Sequence, residues 1–468
     1  MENNKEAILA PPSPYGPIYH QREEVGSIMH CAIGLRDPID VEAIKSAFAN
    51  SMITKHPMFT RVMIKDHRGR YRWQKPSHPI NIDDHIIVHH HKGIAAIAQE
   101  KEEAVNAYLS DLSVSTPMSK EKPLWELHML LGLDCLVWRV HHSVGDGASL
   151  FSMLLACFGK DSKCDPEKPK DGKSSADGNS STGSGEKKTI WPRKKGRKSL
   201  WWTLKFSEKL GARLLWAKDK KTAISGGDGV EQWPRKIVTV KFKLGDFKAL
   251  RKNIPNVTVN DVFLGLISSA LSKYLRSIDN EARPRNCRIT GMCAVNVRDV
   301  PTLQASELSQ CSTFSGWGNK SGTVLVPMKL LRSKDELHPL ENVKRIKSMM
   351  DRKKQSYEAH ITYLSIPSTS NLFGLKVAAW LLKRYLLRTT FQCSNLMGPK
   401  EEVAIAGNPV TYIRGNASAT PQAIAIYFVT YAERADVQII VAKDIIQNPE
   451  FLAKCFEESF YEMLTANA

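Results

Sequence analysis

The sequence has no uninterrupted run of about 18 or more apolar residues, so an ordinary transmembrane helix is not expected. Its nine cysteines are odd in number and form no Cys-x-x-Cys pair. This argues against a disulfide framework and a cysteine zinc site and is typical of reduced thiols facing the cytosol. The polar amino terminus is followed by no long apolar core, so no secretory signal is expected. Acidic residues are few relative to basic ones, 48 against 66, and the net charge of +18 favours anionic partners: nucleic acid, an acidic membrane surface or phosphate-bearing substrates.

Composition divides the chain into three parts. Of its 468 residues, 42% are hydrophobic and 24% are charged, as in globular proteins, and the length suits two or three domains. From Gly159 to about Gly185 the chain is Lys, Asp, Ser, Gly and Pro with almost nothing apolar, so this stretch is expected to be disordered. The sequence therefore predicts an amino-terminal lobe at residues 1–158, a disordered basic linker at 159–232 and a carboxy-terminal lobe at 233–468.

The linker contains a basic amphipathic segment at residues 199–218 that is predicted to be helical. Lys205, Lys209 and Arg213 recur every four residues and fall on one stripe, while leucines fill the opposite arc. Residues 160–221 hold 18 Lys and Arg against 8 Asp and Glu. The net charge of this segment is therefore more than half of that of the chain. The helix is expected to lie in a membrane interface. The run of basic residues just before it is typical of a lipid-binding patch and equally of a nuclear import signal.

Both lobes are predicted to be mixed α/β from their hydrophobic periodicity. In the first lobe, the predicted strands are 27–35, 59–65, 125–130 and 135–140, and the predicted helices are 41–55 and 94–112. In the second lobe, the predicted strands are 236–244, 288–297, 323–327, 423–431 and 437–442, and the predicted helices are 259–277, 337–354, 372–387 and 449–464. The helix at 372–387 is apolar but interrupted by Lys and Arg. It is expected to pack on the carboxy-terminal sheet, to line an apolar tunnel or to touch lipid.

The most informative residues are the segment 141–147, which reads His-His-Ser-Val-Gly-Asp-Gly between an apolar run and a helix. A histidine at the end of a buried strand is held rigidly and can accept a proton from a hydroxyl near neutral pH. Asp146 can fold back and fix the loop, while Gly145 and Gly147 permit a tight turn. The alternative is two core histidines beside a helix-capping aspartate, but the complete pattern at a strand-to-helix junction favours catalysis.

The pattern formed by His141, His142, Asp146 and Gly147 resembles the HHxxxDG active-site motif of CoA-dependent acyltransferases with the chloramphenicol acetyltransferase fold. Further motifs follow the order found in the plant form of one such family, the wax ester synthase/diacylglycerol acyltransferases. They are Pro-Ser-Pro at 12–14, Pro-Leu-Trp-Glu at 123–126, Val-Thr-Val-Asn-Asp-Val at 257–262, Val-Asn-Val-Arg at 295–298, Trp-Gly-Asn at 317–319 and Ser-Asn-Leu-Met-Gly-Pro at 394–399. Each motif is weak alone, but their order and spacing cover nearly the whole chain except the linker.

The resemblance implies a fold and a set of residue roles. The fold would be α/β, an α+β sandwich of two chloramphenicol acetyltransferase-like lobes, with mixed sheets flanked by helices and the active site between the lobes. His142 would be the general base, and His141 and Gly147 would support its loop. Asp146 would be structural and paired with Arg298, because a buried carboxylate needs a partner.

Two asparagines complete the supporting set. Asn260 would hydrogen-bond the oxyanion or the catalytic loop. The alternative is that Asn260 and Asp261 only begin a helix after Thr258. Asn296 belongs to the same Val-Asn-Val-Arg motif as Arg298.

No metal or bound cofactor is implied by the resemblance. The three histidines at 89–91 look like metal ligands but lack a partner motif, so a solvated loop or a strand end is expected there. Acyl-CoA would be a substrate, and no residue is assigned to substrate binding.

By this resemblance the chain is expected to move a long acyl group from acyl-CoA to a fatty alcohol, giving a wax ester, or to diacylglycerol, giving triacylglycerol. It would contact a membrane surface through the basic linker at the cytosolic face of the endoplasmic reticulum, with the plasma membrane or nucleus as alternatives. Two other functions stay open: a soluble CoA-dependent acyltransferase for a smaller alcohol, and a non-catalytic basic protein that binds membrane or nucleic acid. Nucleic acid is not expected, because the charge lies in a linker rather than across a folded face.

Overall fold

The structure, a computed structural model, describes most of both predicted lobes. It covers residues 13, 15–21, 28–76, 78–91, 97–114, 117–159, 197–215, 219–252, 254–278, 287–298, 316–330 and 338–466. Within these residues the helices are α1 (Gly16–Gln21), α2 (Val41–Ala49), α3 (Ala98–Leu112), α4 (Gly147–Phe158), α5 (Arg197–Leu215), α6 (Leu244–Lys252), α7 (Val259–Ile278), α8 (Pro339–Gln355), α9 (Glu358–Phe373), α10 (Leu375–Leu386) and α11 (Pro449–Thr465). The strands are β1 (Ile28–Leu35), β2 (Val62–Lys65), β3 (Tyr71–Gln74), β4 (Ile86–His90), β5 (Trp125–Leu131), β6 (Cys135–His141), β7 (Arg235–Lys243), β8 (Arg288–Asn296), β9 (Ser321–Lys329), β10 (Phe391–Met397), β11 (Ala404–Ile405), β12 (Asn408–Ala417), β13 (Ile424–Tyr431) and β14 (Arg434–Ala442).

Each lobe is built on a six-stranded mixed sheet. The strand order is β11-β12-β1-β6-β5-β4 in the first sheet and β7-β14-β13-β10-β8-β9 in the second. β4 runs parallel to β5, and β10 runs parallel to both β8 and β13, while the other neighbouring pairs are antiparallel. The predicted α/β class, with two lobes of mixed sheet flanked by helices, is confirmed.

The first sheet takes two strands from the carboxy-terminal half of the chain. β12 pairs antiparallel with β1, so Ile33 lies opposite Ile413. A two-residue turn at Ala406 and Gly407, both with positive φ, brings β11 back along β12. The chain is therefore not divided at residue 233 as predicted. The part from 233 to 468 also completes the first sheet, because β12 buries Ile413 in the first lobe's core.

The end of the predicted linker is folded onto the second lobe. Asp219 accepts hydrogen bonds from the backbone N–H and the hydroxyl of Thr290, at 2.6 and 2.8 Å, and from the hydroxyl of Thr390 at 2.8 Å. Because these bonds tie the start of the segment 219–232 to β8 and to the residue before β10, the prediction that disorder extends to residue 232 is wrong. Residues 160–196, which hold the rest of the predicted disorder, lie outside the described residues.

The basic segment forms α5, which packs on the second lobe by one face. Phe206 is buried, and the Thr203 hydroxyl accepts a hydrogen bond from the Tyr357 backbone N–H at 3.0 Å. The opposite face exposes Trp201 and Leu204. Two of the three cations in the predicted basic stripe have side chains outside the described residues, and the interfacial role of α5 stays a prediction. No helix in the described part of the chain is long and apolar enough to cross a membrane.

Apolar side chains between the sheets and their helices form the cores. Trp125 and Trp138 are fully buried in the first lobe. In the second lobe Phe263 of α7 stacks on Phe428 of β13, with ring centroids 4.7 Å apart. Such burial stabilises by about 25 cal/mol per Å² of apolar surface. The packed cores hold the ends of β6 and β10 rigidly, and the candidate site lies at those ends.

Candidate active site

A strand, a turn and a helix position the central histidine. β6 is buried from Cys135 to Val140, and its backbone leads directly into His142. Asp146 caps α4, since its Oδ1 accepts a hydrogen bond from the Ser149 backbone N–H at 3.0 Å. The HHxxxDG segment therefore lies at a strand-to-helix junction, as the sequence predicts.

Gly147 lies where the loop meets the opposite lobe. A Cβ on Gly147 would lie 2.9 Å from Cδ1 of Leu396 in β10. Cβ atoms do not approach neighbouring carbons so closely, so the Leu396 side chain would have to shift to admit a larger residue. Gly147 thus allows the first lobe's loop to pack against a strand of the second sheet.

A buried ion pair joins the loop to the second half of the chain. Arg298 Nη1 donates to Asp146 Oδ2 at 2.8 Å, and the two side chains are only 3% and 4% exposed. Asp146 Oδ2 also accepts from the Lys320 backbone N–H at 2.9 Å and from the Ser321 hydroxyl at 3.0 Å. Burial alone would raise the pKa of Asp146, but the charge and hydrogen bond of Arg298 hold that pKa below its ordinary value. The structure therefore brings the two predicted partners into contact.

Arg298 uses every part of its guanidinium group. Its Nε donates to the Gly316 carbonyl at 2.9 Å, and its Nη2 donates to the Gly318 carbonyl at 2.6 Å and the Ser149 hydroxyl at 2.9 Å. Asn296 Oδ1 accepts from the backbone N–H of Arg298 at 3.0 Å and from its Nη1 at 3.2 Å. The predicted supporting residue Asn296 thus orients Arg298. A lysine would not reproduce this planar fork.

The imidazole of His142 is held by Asn319, to which the sequence motifs assigned no role. His142 Nδ1 lies 2.7 Å from Asn319 Oδ1. Asn319 Nδ2 donates to the His142 carbonyl at 2.8 Å and to the Ser13 hydroxyl at 3.3 Å. Because a carbonyl only accepts, the amide is fixed with Oδ1 toward the ring, so Nδ1 carries the proton and Nε2 keeps its lone pair. That tautomer is the one in which Nε2 can act as a base.

The turn before Asn319 holds the loop at 142–147 in place. Trp317 Nε1 donates to the Val144 carbonyl at 2.7 Å. Gly318 has a φ of 97°, in the left-handed region that favours glycine, and its carbonyl accepts from the Asp146 backbone N–H at 3.4 Å. The Trp-Gly-Asn motif therefore holds both the loop and the ring of its histidine.

His142 is neutral near neutral pH. Burial lowers its pKa, and the Asp146 carboxylate and the Asn319 hydrogen bond oppose that effect only in part. The ring of Tyr19 stacks on the imidazole with centroids 4.6 Å apart. A neutral, stacked imidazole is ready to accept a proton without first losing one.

His141 is engaged by its own loop. Its Nδ1 lies 2.7 Å from the Ser143 hydroxyl oxygen and accepts from the Ser143 backbone N–H at 3.2 Å. Burial, together with the neighbouring His20 and His142, lowers the pKa of His141 to about 3. This placement fits the predicted role of supporting the loop.

Asn260 contacts β10. Its Oδ1 accepts from Asn395 Nδ2 at 3.1 Å. Thr258 begins α7 through a reciprocal cap, since its N–H and hydroxyl donate to Asp261 Oδ2 while the hydroxyl accepts from the Asp261 N–H. Among the described residues no hydrogen bond joins Asn260 to the loop at 142–147, and its role toward the oxyanion stays a prediction.

An apolar cavity of about 330 Å³ lies between the lobes beside His142. Its walls come from both sheets and from α4, α5, α9 and α10. The apolar part of the lining consists of Met29, Trp138, Leu150, Phe151, Leu154, Leu210, Met292, Ile366, Leu381, Leu382, Leu386 and Leu396. The predicted helix at 372–387 begins as α10 at residue 375 and lines this cavity, in agreement with one of its three expected roles. A site with this lining can hold an acyl chain next to a base.

The histidines at 89–91 lie at the end of β4. His89 Nε2 is 2.7 Å from the Tyr108 hydroxyl, which is also 2.6 Å from His128 Nδ1. Within the described stretches no group of three or more His, Cys, Asp or Glu could hold a metal ion. The structure therefore places these histidines at a strand end, which is one of the two placements expected from the sequence.

The family model and the curated relatives agree on one family. The model of the WS/DGAT C-terminal domain matches residues 317–464. Wax ester synthase/diacylglycerol acyltransferase 4 of Arabidopsis thaliana is 31% identical, over 97% of this chain and 90% of the relative. The chain belongs to the wax ester synthase/diacylglycerol acyltransferase family. Wax ester synthase/diacylglycerol acyltransferase 8 of the same plant is 28% identical, over 99% of this chain and 97% of the relative.

Solved structures confirm the fold of this family member. The wax ester synthase/diacylglycerol acyltransferase from Marinobacter aquaeolei VT8 matches with a TM-score of 0.59 and 14% identity, covering 98% of this chain and 100% of that one. The trichothecene 15-O-acetyltransferase from Fusarium sporotrichioides matches with a TM-score of 0.59 and 13% identity, covering 97% and 94%. Both likenesses extend over the two lobes, so the chloramphenicol acetyltransferase-like architecture is the fold of the described part of the chain.

In this member of the wax ester synthase/diacylglycerol acyltransferase family, three site residues had no role assigned from the sequence. Asn319 and Ser13 lie in motifs that were used only for their order, Trp-Gly-Asn and Pro-Ser-Pro. The structure gives both motifs a reason, since Ser13 contacts Asn319 and Asn319 contacts His142. Tyr19 belongs to none of the quoted motifs, and no sequence signal pointed to it.

Proposed function

We propose that the chain transfers an acyl group from acyl-CoA to the hydroxyl of a lipid alcohol, with His142 as general base. The observation that carries this proposal is the imidazole of His142 at the wall of an apolar cavity, with Nδ1 engaged by Asn319 and Nε2 left as the basic nitrogen. Membership of the wax ester synthase/diacylglycerol acyltransferase family supports acyl transfer as the reaction class.

The proposed reaction needs no covalent acyl-enzyme. His142 Nε2 takes the proton of the acceptor hydroxyl as the oxygen attacks the thioester carbonyl carbon. The tetrahedral intermediate collapses, the carbon–sulfur bond breaks, and the imidazolium returns the proton to the departing thiolate. The products are the ester and free CoA, and His142 ends neutral, so no further cofactor is required.

Asp146 and Arg298 act in this scheme as positioning residues. Their ion pair holds the loop after His142, and the same carboxylate lowers the free energy of the imidazolium that forms during the reaction. Asp146 is proposed to stay ionised throughout, because Arg298 and the backbone N–H groups of Ser149 and Lys320 hold its pKa down.

The acceptor is proposed to be a fatty alcohol, giving a wax ester, or diacylglycerol, giving triacylglycerol. The cavity lining supports a long apolar substrate, with leucines from α4 and α10 along its walls. The relatives from Arabidopsis thaliana are named for both activities, wax ester synthesis and diacylglycerol acylation. We propose the cytosolic face of the endoplasmic reticulum as the site of action, with the plasma membrane and nucleus as alternatives, and imaging of a tagged chain in living cells distinguishes them.

Product analysis tests the proposed function. Purified protein receives radiolabelled palmitoyl-CoA with hexadecanol, diacylglycerol or a short alcohol in separate reactions, and the products are separated by thin-layer chromatography. We expect labelled wax ester or triacylglycerol, with one CoA released per ester. If only the short alcohol is esterified, the lipid acceptor is wrong. If folded protein forms no ester, the chain is a non-catalytic binder of membrane or nucleic acid and the proposal fails.

A further inference from the structure

Exposed apolar side chains are concentrated on the helices that wall the cavity. Leu372 and Phe373, at the corner where α9 turns into α10, are 75% and 67% exposed. Gly374 makes this corner with a φ of 86°. Trp380 of α10 is 52% exposed. Several large exposed apolar side chains on neighbouring helices are typical of an interaction site.

These side chains belong to two adjacent helices. Leu364 and Leu372 are on α9, and Val377 and Trp380 are three residues apart on one face of α10. All four are exposed to solvent, and the partly buried Arg384 follows Trp380 by about one turn. We name this surface the corner face; it consists of Leu364, Leu372, Phe373, Val377 and Trp380.

The corner face is bordered by cations. α10 contains no Asp or Glu, its Lys376 is exposed, and the Arg384 guanidinium lies 5.5 Å from the centroid of the Trp380 ring. The neighbouring α5 packs against α9 and α10 and carries Lys205 Nζ at 4.0 Å from the exposed ring of Trp201. Apolar and tryptophan side chains flanked by Lys and Arg are the composition of a surface that enters anionic lipid headgroups.

The same two helices turn their other faces to the cavity. Ile366 and Thr369 of α9 and Leu381 and Leu382 of α10 line it. The corner face is therefore separated from the cavity by a single layer of helix. A lipid surface covering the corner face would lie beside the place that a lipid substrate must reach.

We propose that the corner face docks on a lipid surface with anionic headgroups. The docking deepens the proposed function and rests on it for its purpose: a lipid alcohol passes from the surface to the cavity without crossing water. Leu372 and Phe373 enter the boundary between headgroups and acyl chains, and Lys376 and Arg384 contact the headgroups. A second copy of the chain is a poorer occupant, because a twofold interface would bring each cationic border against its own copy.

Vesicle binding of the full chain tests the docking. The probes are phosphatidylcholine vesicles with and without phosphatidylserine, and bound protein is measured by flotation. We expect L372E/F373E to lower the partition coefficient at least about tenfold, because two large apolar side chains no longer enter lipid. The matched control is I278E/Y461E, which changes exposed apolar residues on α7 and α11 and should bind as the wild type does. K376E/R384E should weaken binding only to the vesicles with phosphatidylserine.

Several outcomes would overturn the docking proposal. It fails if the wild type does not bind vesicles, or if L372E/F373E binds as well as the control while circular dichroism shows both folded. It also fails if sedimentation shows a dimeric wild type and a monomeric L372E/F373E, because the face would then belong to a second copy. Esterification by the wild type in detergent micelles without vesicles measures the proposed function separately. Vesicle binding without esterification would refute the function and leave the docking intact.

Discussion

At the scale of single residues, the proposed chemistry depends on which nitrogen of His142 carries the proton. The Asn319 amide settles this, because its Nδ2 donates to a carbonyl and its Oδ1 must then face Nδ1. Burial keeps the imidazole neutral, so the base is available below the ordinary histidine pKa of 6.5. The hydrogen bond of Asn319 therefore sets the orientation of the His142 imidazole, and burial sets its protonation state.

Replacing Asn319 by alanine should lower kcat/KM about 10- to 150-fold. The imidazolium formed during the reaction loses a hydrogen bond to a charged group, which is worth about 1.5–3 kcal/mol. Because that bond raises the pKa of His142, its loss should also move the acidic limb of the pH–rate profile to lower pH. Steady-state kinetics across pH measure both effects. Asn408→Ala, at the first residue of β12, is the control. A variant of Asn319 with an unchanged profile would contradict the account.

Replacing Arg298 by alanine should destabilise the fold by about 3–5 kcal/mol. The change leaves the Asp146 carboxylate buried without its cation. Urea unfolding followed by tryptophan fluorescence measures the loss. Arg298→Lys keeps the charge but not the fork and should recover only part of the stability, while the exposed Arg251→Ala should change little. Wild-type stability and activity in Arg298→Ala would show that the pair is dispensable.

The contact between Asp146 and Arg298 could be predicted from the sequence, whereas that between His142 and Asn319 could not. A buried carboxylate must find a cation, and the Val-Asn-Val-Arg motif supplied one candidate. An asparagine has no such obligatory partner, so nothing in the Trp-Gly-Asn motif pointed to His142. The helix start beside Asn260 could be predicted, because Thr258 and Asp261 form the expected cap, whereas the contact of Asn260 with Asn395 could not.

At the scale of elements, the cavity depends on a helix pair that the sequence disclosed only in part. α10 was expected from its apolar stripe, with α9 left unassigned. Pro367 lies inside α9, and the Ser and Thr residues around it weaken the apolar period. Tertiary packing of Thr362 and Ile366 overrides these local signals.

Filling the cavity from α10 should shorten the acyl chain that the enzyme accepts. Leu382→Trp adds volume at the wall of a cavity of about 330 Å³ and should lower kcat/KM for long-chain acyl-CoA relative to medium-chain acyl-CoA. Ile278→Trp, at the exposed end of α7, is the control and should leave the preference unchanged. Rates with a series of acyl-CoA chain lengths test this. An unaltered preference in Leu382→Trp would mean that the acyl chain does not occupy this cavity.

At the scale of the whole molecule, motif order predicted the fold better than composition predicted the domains. The linker gave a plausible boundary at residue 233, but β12 returns to the first sheet and pairs with β1. Nothing local in β12 distinguishes a strand of one sheet from a strand of the other, because either sheet offers the same backbone pairing. Because the carboxy-terminal half supplies β12 to the first sheet, the two lobes form one cooperative structure.

Acidification should destabilise this structure before its carboxylates are titrated. Burial lowers the pKa of His30 and His141 to about 3 and that of His20 and His56 to about 4. The unfolded chain binds protons on these groups below pH 6.5 while the folded chain does not, so the free energy of unfolding falls as the pH drops, by at most about 1.4 kcal/mol per pH unit for each group.

Urea unfolding at several pH values between neutral and about 5 measures this dependence. His56→Gln should make the free energy of unfolding depend less steeply on pH. The reason is that this variant lacks one of the buried histidines that stay neutral in the folded chain. His67→Gln, at an exposed position in the β2–β3 turn, is the control. A free energy of unfolding that stays constant or rises on acidification would contradict the account.

The measurement that tests the central claim most directly is the rate of ester formation by His142→Ala beside the wild type. Labelled acyl-CoA and the better acceptor are used, and equal thermal unfolding midpoints establish that both proteins are folded. A positioned general base contributes about 100- to 10,000-fold, so the variant should lose at least about 100-fold in kcat. A folded His142→Ala that forms ester within about threefold of the wild-type rate, well short of the effect expected of a base, would contradict the assignment of His142.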